Sequence, residues 1–479
     1  MTAPERTGFA GKIDSYFEIT ERGSNIGREI RGGLTTFFTM AYIVVLNPLI
    51  IGTVADGEGN FLGGGDAPNL ALVAAATALV AGILSIIMGV WARFPLAMAA
   101  GLGINAFLAY SIASREGMSW PEAMGFVVIE GIVVFILVLT NFRKAVFAAV
   151  PNFLKQAIAV GIGLFLAFIG LYDAGIVRSG AGTPTQFGDG GYITTWPMLV
   201  FIIGLFTAIV LMVKKVRGAL LISIIVATVA AVIIEAVAGL GASVDNPNGW
   251  ALVVPVLPDA IVSAPDFSLV GQVDLFGGFT SLPVLTALLL IFSLLITDFF
   301  DTMGTMTAVG AEAGLNDENG NPPRTQQVLL VDSIGAAAGG LGSVSSNTSY
   351  IESAAGVGDG ARTGLASIVT GIAFLLSTFL TPLYALVPFE AATPVLVVVG
   401  FLMVSQVAGI DWKDYRIAIP AFLTFILMPF GYSISAGIGV GFISYVLLQL
   451  VSGGARKVHP LMWGTAGAFV VYFASGLFL

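Results

Sequence analysis

Twelve predominantly apolar stretches, most of about 20 residues, and two shorter ones recur along this 479-residue chain. About 20 residues is the length a helix needs to cross the ~30 Å hydrocarbon core of a bilayer. In lipid every backbone N–H and C=O must be satisfied within the protein, so a chain built this way spans as helices. The composition agrees: 57% of residues are hydrophobic and 10% are charged, against about 25% charged in an ordinary soluble domain. Sixty glycines and 21 prolines suit membrane helices that pack closely or break. The expected fold class is therefore an all-α polytopic membrane protein with about 14 transmembrane segments, and the lipid bilayer is its first partner.

Several function classes fall away early. The chain has no cysteine and a single histidine, His459, so thiol chemistry and disulfides are out and a proton relay must use Asp or Glu. HExxH, GxSxG and phosphate-loop motifs are absent, which leaves no catalytic motif for an enzyme; no metal or cofactor is expected. A net charge of −9 without a long basic stretch argues against nucleic acid. The polar segment 1–30 lacks the apolar core of a signal peptide.

Lys and Arg set the orientation. With residues 1–30 in the cytoplasm, 17 of the 20 Lys and Arg fall on the cytoplasmic side, Arg115 and Arg178 fall outside, and Lys155 lies within a span. Seven segments lie on each side of the long external loop 241–281. Seven is odd, so the second half is inverted relative to the first, the plan of many secondary transporters. The third segment of each half is short and rich in small or polar residues, at 95–112 and 343–358, that is, segments 3 and 10. Paired interrupted segments point to a binding site between them. A further apolar run, 461–479, either lies at the interface or crosses.

Polar residues inside these spans need an explanation, because an ionised side chain at the bilayer centre costs at least ~2.5–3.5 kcal/mol. Asp298 and Asp301 are three apart in segment 8 and share a helix face, with Thr302 beside it. Glu352 and Ser349 lie in segment 10, and Asn105 in segment 3. Carboxylates, an amide, hydroxyls and unwound backbone suit a planar polar ligand with donors and acceptors, and suit an anion poorly. Each residue also has a plain structural reading. The aspartates could cap or end a helix, Glu352 could bond nearby backbone, and Asn105 could pack helices. For Glu130 and Asp332, both mid-span, polar contacts between helices are the favoured reading.

Four stretches carry a family resemblance: GLTTFFTMAYIVVLNP (33–48), AAGLGINAFLAYSI (99–112), TDFFDTMGT (297–305) and NTSYIESAAGVGDGARTG (347–364). They resemble the AzgA-like purine permeases of the nucleobase–cation symporter, or nucleobase–ascorbate transporter, superfamily, over nearly the whole chain. The resemblance implies a seven-plus-seven inverted repeat with core and gate domains. The core would comprise 31–141 and 282–384, the gate 145–240 and 389–453, with 461–479 as an extra C-terminal segment.

It also implies a multi-pass plasma-membrane importer of hypoxanthine, adenine and guanine driven by proton symport. Substrate-binding residues would be Glu352, Asp298, Asn105, Thr302 and Ser349. Glu352 would accept from purine N–H groups, and Phe107 or another aromatic would stack on the ring. Asp298 would face the cavity between core and gate as the main proton-linked group, with Asp301 secondary. Sodium in place of the proton, a uracil or xanthine specificity, an anion transporter of the same fold and a homodimer stay open. A channel or membrane enzyme is the reading from another class; it gives no reason for paired broken segments bearing acids.

Overall fold

The computed structural model describes residues 9–140, 150–180, 182–318 and 322–474. Ten helices among them are long and apolar enough to cross a membrane. Each of the fourteen apolar stretches corresponds to an element. Segments 9 and 13 are shorter helices, Thr325–Leu341 and Tyr415–Phe430. Segments 3 and 10 are broken. Segment 1, Ile26–Ile51, runs as two helices, Ile26–Met40 and Ile43–Ile51, that part at Ala41 and Tyr42.

Local sequence sets several helix starts. Segment 4, Trp120–Leu139, opens on a capping box in which Glu122 accepts from the Ser119 backbone N–H at 2.8 Å, with Pro121 in the first turn. Segment 6, Trp196–Val213, opens on Thr195, which accepts from the Met198 N–H at 3.3 Å.

The helices pack as two sets. Ile26–Ile51, Leu70–Ala92, Trp120–Leu139, Val284–Glu312, Thr325–Leu341 and Gly364–Tyr384 gather around the broken segments. Asn152–Asp173, Trp196–Val213, Ala219–Ala238, Phe389–Gly409, Tyr415–Phe430 and Ile434–Val451 form the other. Small residues let helices of the first set touch at backbone distance: a Cβ on Gly131 of segment 4 would lie 2.3 Å from the Ala337 nitrogen of segment 9. Among the described residues, one ion pair links the two sets. Arg217, in the turn before Ala219–Ala238, holds Asp359 at the end of segment 10.

One end of the molecule collects arginines. Glu18, just after the N-terminal helix Phe9–Phe17, pairs with Arg22 at 2.7 Å, Arg324 at 3.1 Å and Arg93 at 3.7 Å. Arg22 also donates to the carbonyls of Arg93 and Arg362. These are residues that the charge bias assigns to one side; Arg6, Arg143 and Lys144 of the same group lie outside the described residues.

The C-terminal run forms a helix, Pro460–Ala474, packed on Ile434–Val451 with Phe469 fully buried; residues 475–479 lie outside the described part. Its Tyr472 hydroxyl accepts from Arg115 at 2.7 Å. This contact ties the last turns of the helix to the end of segment 3. The loop 241–281 is mostly irregular but pinned: Trp250 is fully buried and donates to Glu235 at 2.8 Å, and the Ala251 N–H donates to Glu390 at 3.1 Å.

Candidate functional site

Segments 3 and 10 meet as two extended strands, β1 (Met98–Ala100) and β2 (Asn347–Ser349). They are antiparallel, with Met98 opposite Ser349, Ala99 opposite Thr348 and Ala100 opposite Asn347. Unwound backbone away from water must find partners, and the ladder supplies them. Segment 9 lies hard against the crossing: a Cβ on Gly339 would sit 2.0 Å from the Ser345 carbonyl oxygen. Each strand feeds a short helix. Leu102–Phe107 continues as a wider π-helical turn, Leu108–Ala113, and β2 leads into Ser353–Gly358.

The acids around this crossing occupy different environments. Glu352 immediately precedes Ser353–Gly358, is half-buried, and accepts a hydrogen bond from the Tyr42 hydroxyl. Tyr42 sits in the break of segment 1 and is itself buried. Next to Glu352, the Tyr350 hydroxyl donates to the Ala100 carbonyl at 2.7 Å and ties the two broken segments together. Asp301 is exposed, whereas Asp298, one turn earlier, is 1% exposed. The expectation that Asp298 faces the open cavity therefore meets a different arrangement, in which Asp301 takes the accessible position and Asp298 lies behind it. Asp298 accepts from the Ser346 hydroxyl at 3.1 Å.

Thr302 and Ser349 are brought together, but by a third residue. Asp332 accepts from the Thr302 hydroxyl at 2.7 Å, the Ser349 N–H at 3.1 Å and the Ser349 hydroxyl at 2.9 Å. Thr302 also bonds Thr348 at 2.7 Å. Asn105 is fully buried and donates to Asn47 at 2.6 Å; Asn47 in turn donates to Thr77 and to the Val344 carbonyl. The Asn105 side-chain oxygen has no partner.

Among the described residues no ion pair engages Asp298, Asp301, Asp332 or Glu352. The accessible surface thus offers carboxylate acceptors without a cation. It suits a neutral ligand that donates N–H groups and would repel an anion. Phe107, the suggested stacking ring, is fully buried in the core. A different aromatic group lines the junction of the two helix sets: Tyr110, Phe165 and Tyr432, with ring centroids 5.2 to 6.0 Å apart.

Comparison with known proteins decides the family. Residues 27–475 match the Permease family. The chain belongs to that family. It is 39% identical to the guanine/hypoxanthine permease PbuG of Bacillus subtilis, covering 96% of this chain and 99% of the relative. It is 36% identical to the adenine permease AdeP of Escherichia coli, covering 97% of each. Among solved structures it is similar to the transmembrane domain of the cyanobacterial bicarbonate transporter BicA, with a TM-score of 0.57 at 15% identity over 86% of this chain and 97% of that one. It is also similar to murine Slc26a9, an anion transporter, with a TM-score of 0.59 at 11% identity over 94% and 74%. The permease has their seven-plus-seven fold, with core and gate domains and broken segments 3 and 10. It is a multi-pass membrane transporter.

Sequence reasoning passed over Tyr42, because a tyrosine in an apolar helix reads as packing. It noticed Glu130 and Asp332 but gave them no place in the site. Asp332 has the helix-to-helix contacts favoured for it, directly beneath the crossing.

Proposed function

We propose that this permease is a secondary active transporter that imports purine nucleobases, hypoxanthine, guanine and adenine, across the plasma membrane by proton symport. The observation that carries the reading is the accessible pair of carboxylates, Asp301 and Glu352, at the strand crossing of a chain that matches guanine/hypoxanthine and adenine permeases from end to end. Glu352, oriented by Tyr42, accepts from ring N–H groups. The backbone at the strand ends contributes the remaining polar contacts, while buried Asn105 acts indirectly by anchoring segment 3 to Asn47. Thr302 and Ser349 act through Asp332 by holding β2 in place.

The first helix set is the core and the second the gate, and purine sits between them, with Tyr110 on the core side and Phe165 and Tyr432 on the gate side. The arginine-rich end faces the cytoplasm, as does the N-terminus, by the positive-inside rule. The acidic site weighs against the anion reading, which rests on fold neighbours alone. The purine-permease relatives weigh against uracil or xanthine.

The test is a radiolabelled uptake panel with the purified protein in liposomes. Hypoxanthine, guanine or adenine should accumulate under an imposed inward proton gradient, and a protonophore should abolish the accumulation. Sulfate and bicarbonate should not compete. Accumulation driven only by sodium overturns the coupling ion, and uptake of uracil or xanthine alone overturns the substrate.

A further inference from the structure

Glu130 is fully buried in segment 4, and neither of its carboxyl oxygens meets a hydrogen-bond donor. Its carboxyl group lies within hydrogen-bonding reach of that of Asp298, on segment 8. One oxygen of Asp298 takes the Ser346 hydroxyl, and the other, Oδ1, has no donor. The ionisable groups facing the pair are all acidic. Asp332 approaches from segment 9, and Asp301 stands one turn along segment 8, with Glu352 beyond it. The other elements packed against segment 4, Leu108–Ala113 and Gly278–Ser281, bring no charged residue. No Lys, Arg or His forms an ion pair with Glu130 or Asp298 among the described residues.

Two carboxylates cannot face each other in this way while both are ionised, since nothing offsets their repulsion or replaces their lost water. A single proton resolves the arrangement. A carboxylic acid is a donor where a carboxylate is only an acceptor, so one proton turns two opposed acceptors into an O–H···O⁻ bond of the strong, charge-assisted kind. The geometry also says which partner carries it. Asp298 has a hydroxyl donor to stabilise its charge, while Glu130 has none. Asp332 already accepts from three donors.

We propose that Glu130 and Asp298 hold one proton between them, carried by Glu130, and that this pair is the site of the transported proton. The inference rests on the proton-symport reading and adds Glu130 to it. Exposed Asp301, on the same helix face as Asp298, gives the pair its exchange with water. Purine bound at Asp301 and Glu352 then bears directly on whether the buried proton can leave.

Two measurements on purified protein test this. The first is the infrared carboxylic-acid C=O band across a pH titration. A band in the wild type should be lost in Glu130→Gln and kept in Asp298→Asn. A band kept in Glu130→Gln and lost in Asp298→Asn overturns the assignment to Glu130. The second is hypoxanthine accumulation by the protein reconstituted in liposomes under an imposed inward proton gradient. It should fall at least tenfold in Glu130→Gln and return at least in part in Glu130→Asp. Unchanged uptake in Glu130→Gln overturns the proposal. The double variant Glu130→Gln/Asp298→Asn replaces the acid pair with an amide pair and controls for folding. If wild-type uptake ignores the proton gradient, symport fails on its own, and the infrared band still decides whether the buried proton is there.

Discussion

Tyr42 and Glu352 show how much one hydrogen bond settles at this site. A carboxylate at the start of a short helix is free to rotate, and the Tyr42 hydroxyl fixes one of the Glu352 oxygens in place. Bonds to charged groups are worth about 1.5–3 kcal/mol, or about 10- to 100-fold in affinity. Glu352→Gln should therefore weaken hypoxanthine binding about 10- to 100-fold. Tyr42→Phe removes only the orienting donor and should cost roughly 2- to 10-fold. Binding of labelled hypoxanthine to detergent-purified protein, with thermal unfolding as a folding control, checks both. Unchanged affinity in a folded Glu352→Gln would leave Glu352 a structural residue. Glu352, Asp301 and Asp298 were legible in the sequence, because a charge in an apolar run demands a reason. Which of the two aspartates is accessible was not, because the three-residue spacing puts both on one face and says nothing of what packs there.

At the scale of elements, hydropathy predicts the fourteen segments well, because lipid imposes the same length and polarity on every span. The two broken segments were visible as short runs of small and polar residues. The pairing of β1 with β2 was not, because register between distant strands depends on what packs behind them. Segment 9 packs there, and Gly339 is where it comes closest. Gly339→Ala puts a Cβ 2.0 Å from the Ser345 oxygen and 2.7 Å from the Asn347 side chain. Overpacking of this kind costs about 1–3 kcal/mol, so the melting temperature of purified protein should drop clearly. Gly304→Ala is the matched control: its Cβ meets nothing within 4 Å, and its melting temperature should hold or rise, since alanine is the better helix former. Equal effects from the two substitutions would mean that segment 9 does not support the crossing as described.

For the whole molecule, the distribution of exposed side chains marks a path. Along segment 8 the exposed positions Asp301, Gly304, Ala308 and Ala311 recur every three or four residues, which places them on one face. One acid and three small residues differ from lipid-facing positions such as Phe206, Phe401 and Val229, which are 61%, 65% and 53% exposed. We expect a stripe of this kind to line water. It leads from the acids toward Glu312 and the arginine-rich end, while Tyr110, Phe165 and Tyr432 pack together at the junction of the two sets. With the orientation that the charge bias predicts, such a stripe would open the site toward the cytoplasm. The cysteine-free background allows a direct check with a membrane-impermeant thiol reagent. A cysteine replacing Ala308 should react in inside-out vesicles, stay unreactive in intact cells, and be shielded by hypoxanthine. A cysteine replacing Val244, which is 89% exposed in the long loop, should react in intact cells. Reaction of both from the same side would overturn the topology. Reaction at 308 that hypoxanthine leaves unchanged would mean that the stripe belongs to lipid and that the substrate takes another way through.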